Sequence, residues 1–376
     1  MNDNAYGENF SGENTEKESE NQRLNSETFS ESGTSPAAEP VRFSEKIEYS
    51  FRDYTENKKE ESEKKGLLKA SAAIGISMTF VYLAMVYWSV PTISVFGLFG
   101  IGPQRAVTIL RNEYISQLVQ VLVSALSFVL PFAVSAVLLK ENIGKTGAFG
   151  PPKKGTAVKW FFVGFGFCCF SNIAVQYAGN LLEQWGITYP SFADETPSGA
   201  NGFILSLMAT AVMPALVEEF ACRGIAMGLL KKYGDTFALV TSAVIFGIMH
   251  GNFDQMPFAI MVGLALGFIR LKTGSIFVCM AVHCANNLLA VLVDYAKAYV
   301  SSAALNLIYT VFVATAVVAA VYLLIAEQLK DRDALKIPPA KTELSEKEKY
   351  IRYFASPFTL VFVILFLVQA IKYFFV

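Results

Sequence analysis

The chain has 376 residues, 53% of them hydrophobic and only 17% charged, with 31 phenylalanines. That composition excludes an ordinary soluble domain and predicts an all-α, polytopic bundle of transmembrane helices. The formal net charge of −1 averages a polar tail with an apolar body, and no nucleic-acid partner is expected.

Residues 1–65 hold 16 of the 32 acidic residues against nine basic ones, with many Asn and Ser besides. Such a stretch cannot bury enough apolar surface to fold alone, so a disordered polar tail is expected. The first apolar segment starts near Leu67, and no signal peptide is read ahead of it. About nine spans then follow. Residues 66–199 supply those near 67–90, 114–139 and 158–182, with a Gly- and Pro-punctuated interfacial stretch at 91–113. Residues 200–295 supply those near 203–230, 236–250, 256–271 and 275–293, and residues 296–376 those near 302–326 and 353–374.

The loops orient the spans. Lys58, Lys59, Lys64, Lys65 and Lys69 precede the first span, and Lys140, Lys145, Lys153, Lys154 and Lys159 precede the third. Lys231 and Lys232 follow the fourth, Arg270 and Lys272 the sixth, and the 327–352 loop is also basic. The alternate loop 183–202 has Glu183, Asp194 and Glu195 but no cation; Arg105 and Arg111 are a mild exception. The positive-inside rule places the N-terminus in the cytoplasm and the C-terminus outside. The five cysteines, Cys168, Cys169, Cys222, Cys279 and Cys284, all lie in apolar segments. An odd set of that kind reads as small buried hydrophobes, not as a disulfide framework.

Polar groups at membrane depth carry the functional signal. The fourth span contains Pro214-Ala-Leu-Val-Glu218-Glu219-Phe-Ala-Cys-Arg223-Gly224. Each charge there costs roughly 2.5–3.5 kcal/mol on insertion scales. Glu219 and Arg223 are one helical turn apart and can pair. Glu218 points about 100° away and has no local cation. The chain's two histidines, His250 and His283, also fall inside spans. Helical spacing puts Phe246 with His250, and His283 with Asn287, on common faces. Counted from the basic ends of their spans, Glu218, His250 and Asn287 each lie about 20 Å deep, with His283 one turn nearer the cytoplasm. Three spans thus place polar groups at one level, as a convergent site in a polar cavity requires.

Three chemistries fit these residues. Glu218, His250 and His283 are a conceivable metal set, although His-Glu-x-x-His and His-x-x-Glu-His are absent. A carboxylate base activating water, with His and Asn donors for an oxyanion, needs no metal. A Cys222 or Cys284 nucleophile is the weakest, because Cys284 adjoins His283 and faces away from it.

Glu218-Glu219-x-x-x-Arg223, Phe246-x-x-x-His250 and His283-x-x-x-Asn287, in that order, resemble the three motifs of the CPBP family. These are the CAAX-protease and bacteriocin-processing membrane proteins, relatives of the Ras-converting CAAX endopeptidase. The resemblance covers about residues 200–295. It implies a metal-independent intramembrane glutamic endopeptidase without a cofactor. In that reading Glu218 is the base, His250 assists it, His283 and Asn287 form the oxyanion hole, and Glu219, Arg223 and Phe246 support them. It further implies a membrane-embedded or lipidated peptide substrate, contact with membrane lipid, and residence in a bacterial cell membrane. A non-catalytic immunity or scaffold protein and a proton-coupled transporter are the alternatives.

Overall fold

The computed structural model describes residues 43–186 and 199–374. Its contacts divide the chain after Thr55, and before that point only the first turns of helix α1 (Phe43–Val86) are described. Residues 1–42 of the expected tail lie outside the described residues; from Phe43 on, the polar sequence is helical. Its later part is rich in Glu and Lys and forms pairs such as Lys64 with Glu60 at 2.7 Å and Glu61 at 3.2 Å. Extending a helix outward from an apolar segment costs little once the segment has nucleated it.

Every regular element among the described residues is a helix. Two short helices, α2 (Ser89–Leu98) and α3 (Pro103–Leu110), occupy the stretch expected at the interface. Helix α4 (Glu113–Leu138) follows, started by Asn112, whose side chain accepts from the Ile115 N–H. A single turn, α5 (Ile143–Thr146), then precedes α6 (Ala157–Gln184). Helix α7 (Asn201–Tyr233) contains two π-turns, Leu207–Val212 and Phe220–Ala226. After it come α8 (Asp235–Ile248), α9 (Gln255–Thr273), α10 (Ile276–Ala296) and α11 (Ser302–Lys330). Gly274, at φ +70°, ends α9 in the left-handed conformation that glycine adopts without strain. Helices α12 (Glu346–Phe354) and α13 (Pro357–Phe374) close the described chain.

Seven of these helices are long and apolar enough to cross a bilayer: α1 from Tyr54, α4, α6, α7, α9, α10 and α11. The pair α12–α13, bent by 66°, makes an eighth if it is one span. The remaining predicted span is α8, a shorter apolar helix. The chain is an integral membrane protein.

Two apolar clusters hold the bundle. In one, Leu67 and Ile74 of α1 pack with Phe132 of α4, Ile225 of α7, Phe246 of α8 and Phe362 of α13. In the other, Trp160 of α6 packs with Leu266 and Ile269 of α9 and Cys279 and Val282 of α10. Lipid is as apolar as these side chains, so close backbone approach must supply much of the helix association. Gly263 provides it at the α8–α9 crossing: a Cβ there would meet the Ala243 Cα at 2.9 Å.

Lys349 of α12 is fully buried and donates to the Tyr233 carbonyl at 2.8 Å, to Glu346 at 2.6 Å and to Thr342 at 3.3 Å. It thereby caps the end of α7, which carries the two glutamates. A cysteine introduced at Lys154, in the 140–159 loop, should react with a membrane-impermeant maleimide only when the inner face is exposed. Reaction from outside intact cells would reverse the topology that the Lys and Arg loops predict.

Candidate active site

The site begins with Pro214. Proline has no N–H to give the carbonyl one turn back, and its ring crowds that carbonyl. The carbonyl is that of Thr210, inside the first π-turn of α7. Asn287 of α10 supplies the missing donor: its Nδ2 lies 2.9 Å from the Thr210 oxygen. The opposite end of the Asn287 amide accepts from Asn286 Nδ2 at 3.1 Å, and Asn286 Oδ1 accepts from Asn172 of α6 at 3.3 Å. A chain of three amides thus links α6 and α10 to the widened turn of α7.

The second π-turn, Phe220–Ala226, follows the two glutamates directly and contains Arg223. Glu219 and Arg223 are completely buried, and Arg223 Nη1 donates to Glu219 Oε1 at 2.7 Å. His283 Nδ1 lies 2.9 Å from the same oxygen. The guanidinium carbon sits 3.8 Å from the ring centroid of Phe246. Facing the negative ring face, a desolvated cation gains about 2 kcal/mol. The same ring stands nearly perpendicular to the rings of His250 and His283, with centroids 5.0 and 5.8 Å away. Residues from α7, α8 and α10, together with His250 just beyond α8, therefore form one cluster.

His250 Nδ1 lies 2.7 Å from the Phe246 carbonyl. A carbonyl only accepts, so the neutral ring carries its proton on Nδ1 and leaves Nε2 with a lone pair. Glu218 is half-buried and has no hydrogen-bond or ion-pair partner among the described residues. It lies on the wall of a cavity of about 540 Å³ between α4 and α7, which Thr210 and Pro214 also line. Glu219 is thus engaged by an ion pair with Arg223 and a hydrogen bond with His283, while Glu218 stands beside open space. Neither Cys222 nor Cys284 hydrogen-bonds a histidine; Cys222 Sγ lies 3.7 Å from Met249 Sδ. Among the described residues no three of His, Cys, Asp and Glu are grouped to hold a metal ion.

Several participants escaped the sequence reading. Asn172 was legible in principle, since an amide inside an apolar span is the same signal that singled out His283. Arg270 read as a loop cation, but it is buried, and its Nη2 donates to the Thr146 carbonyl at 2.6 Å and lies 3.4 Å from that of Gly224. Gln117 of α4 and Ser206 of α7, both lining the cavity, lie outside every motif.

Residues 200–289 match the Rce1-like family. The description of that family is type II CAAX prenyl endopeptidase Rce1-like, and the match covers about a quarter of the chain. At family level it supports a CAAX-type membrane endopeptidase. All the motif residues above fall within the match. No curated protein and no solved structure matches the chain.

The ion-pair geometry sets a stability test. Glu219→Gln leaves Arg223 buried without its carboxylate, a loss of roughly 3–5 kcal/mol by the measure of soluble proteins. The detergent Tm of Glu219→Gln and of Arg223→Gln should fall well below that of the wild type. The double variant should recover part of the loss, because neither charge is then stranded. Strictly additive losses would show that the two side chains act independently.

Proposed function

We propose that the protein is an intramembrane endopeptidase in which Glu218 activates water for attack on a peptide bond. The observation that carries this reading is the position of Glu218: it is unpaired, on a cavity wall, next in sequence to a glutamate that holds two motif side chains. A base must be free to take a proton and within reach of the water that gives it. Glu219 is less suited, since its Oε1 already serves Arg223 and His283 and its side chain is fully buried, off the cavity wall.

In this mechanism Glu218 takes a proton from water, and the hydroxide attacks the carbonyl carbon of the scissile bond. His250 assists through Nε2, the nitrogen that its bond to Phe246 leaves with a lone pair. Negative charge develops on the carbonyl oxygen. Asn287 has a second amide N–H beyond the one given to Thr210, and it serves as one oxyanion donor. His283 is held through Nδ1 by Glu219, so its Nε2, when protonated, is the other. Collapse of the tetrahedral intermediate breaks the C–N bond. The proton on Glu218 passes to the leaving nitrogen, giving a carboxylic acid and an amine. Donors fixed in a dry site stabilise such charge far more than donors in water do.

The substrates are membrane-embedded or membrane-associated peptides. Comparing membrane peptides from cells carrying the wild type and Glu218→Gln should reveal fragments that only the wild type makes. Glu218→Gln keeps the side-chain shape and should abolish turnover with a Tm close to the wild type. Asn287→Ala should lower kcat by about 10²–10³-fold, as loss of an oxyanion donor does elsewhere. Full activity of Glu218→Gln together with a stable, inactive Glu219→Gln would exchange the two roles. Turnover should also persist in excess chelator. Loss under chelation that added zinc restores would replace the water-activating carboxylate with a metal centre.

A further inference from the structure

The cavity is asymmetric along the membrane normal. Its walls come from the end of α1 and the turn after it (Met85, Trp88), the first half of α4 (Gln117, Gln120) and the first half of α7 (Ser206, Thr210). Leu110 and Arg111, in the connection between the first two spans, and Glu113, the first residue of α4, also border it. All of these lie on the side away from the lysine-rich loops. Toward those loops the same helices are closed. Phe128, Phe132 and Ala136 of α4 are buried, as are residues 221–227 of α7. Phe149 packs beside Phe220, with ring centroids 5.8 Å apart, and Arg270 ties the carbonyls of Thr146 and Gly224 together across that end. Glu218 is therefore separated from the lysine-rich face by packed side chains, and from the opposite face by open cavity.

The open half also holds polar atoms without partners. Ser206 is 5% exposed. Its Oγ and Gln117 Oε1 are buried and have no hydrogen-bond partner. Unpaired buried groups of this kind are costly. An extended peptide carries N–H and C=O groups at regular intervals and would satisfy both.

Building on the endopeptidase reading, we propose that the peptide reaches Glu218 from the extracytoplasmic side. It passes Trp88 and Arg111, and Gln117 and Ser206 hydrogen-bond its backbone. The substrate class is then the extracytoplasmic or outer-leaflet segment of a membrane peptide, rather than a segment presented from the cytoplasm.

The side of access can be read without any proteolysis. Ser116→Cys and Gln120→Cys, in the full chain, are exposed to a membrane-impermeant maleimide in spheroplasts and in inverted vesicles. The wild type gives the background of the native cysteines, and Lys154→Cys marks the inner face. Labelling of both cavity positions from spheroplasts alone is expected. Labelling from inverted vesicles alone, or from neither side, would overturn the proposal. The peptides that depend on Glu218 give a second readout: their cleavage sites should lie on the extracytoplasmic side of their parent chains. Cytoplasmic cleavage sites would overturn the access route and leave the endopeptidase standing. If no Glu218-dependent peptides appear, the endopeptidase reading fails, while the labelling still decides which side the cavity faces.

Discussion

One carboxylate oxygen, Glu219 Oε1, organises the centre of this protein. It receives both the Arg223 guanidinium and the His283 ring. Charge in a bilayer interior is expensive, and neighbouring helices gain nothing by hiding apolar surface from lipid. A polar link between helices therefore fixes register in a way that interchangeable apolar contacts cannot. This link joins α7 to α10, and the Phe246 ring under the guanidinium brings in α8. Sliding any of the three helices by one residue would strand a charge.

The second constraint is a missing hydrogen. Pro214 frees one carbonyl, the helix widens around it, and an asparagine on another span fills the gap. The same substitution of donors orients Asn287, because only its NH₂ end can face a carbonyl. π-turns are uncommon and recur at functional sites. Here two of them bracket the segment with the paired glutamates, so the positions of Glu218 and Glu219 follow from irregular helix on both sides.

Much of this was legible in the residues. Spacing alone foresaw the Glu219–Arg223 pair, since it lies within one turn. The His283–Glu219 contact joins residues 64 apart, and no local period encodes such a distance. The ordered motifs announced that three spans meet, but not that Phe246 would be the shared surface. Arg270 misled because a cation at the end of an apolar run normally reaches water, whereas this one turns inward to two carbonyls. Helix α8 met the hydropathy signal of a span, yet 14 residues rise only about 21 Å, less than the hydrocarbon thickness. The final span bends at Ser356-Pro357 because proline disfavours helical geometry in the residue before it. The cavity was invisible in sequence, since its polar residues are scattered over elements that each look ordinary.

The lysine buried beneath Tyr233 has a consequence for how the protein is made. Lys349 and the carbonyl it caps are 116 residues apart. The ribosome releases the glutamate-bearing helix long before it releases that lysine. During the interval the Tyr233 carbonyl lacks the lysine that later caps it, and the segment that fills the space beneath it does not yet exist. The nascent chain thus passes through a stage in which all the motif residues have been made but the cap at the end of the glutamate-bearing helix has not. The packing beneath Tyr233 is therefore completed by the later helices and not by those that carry the motifs.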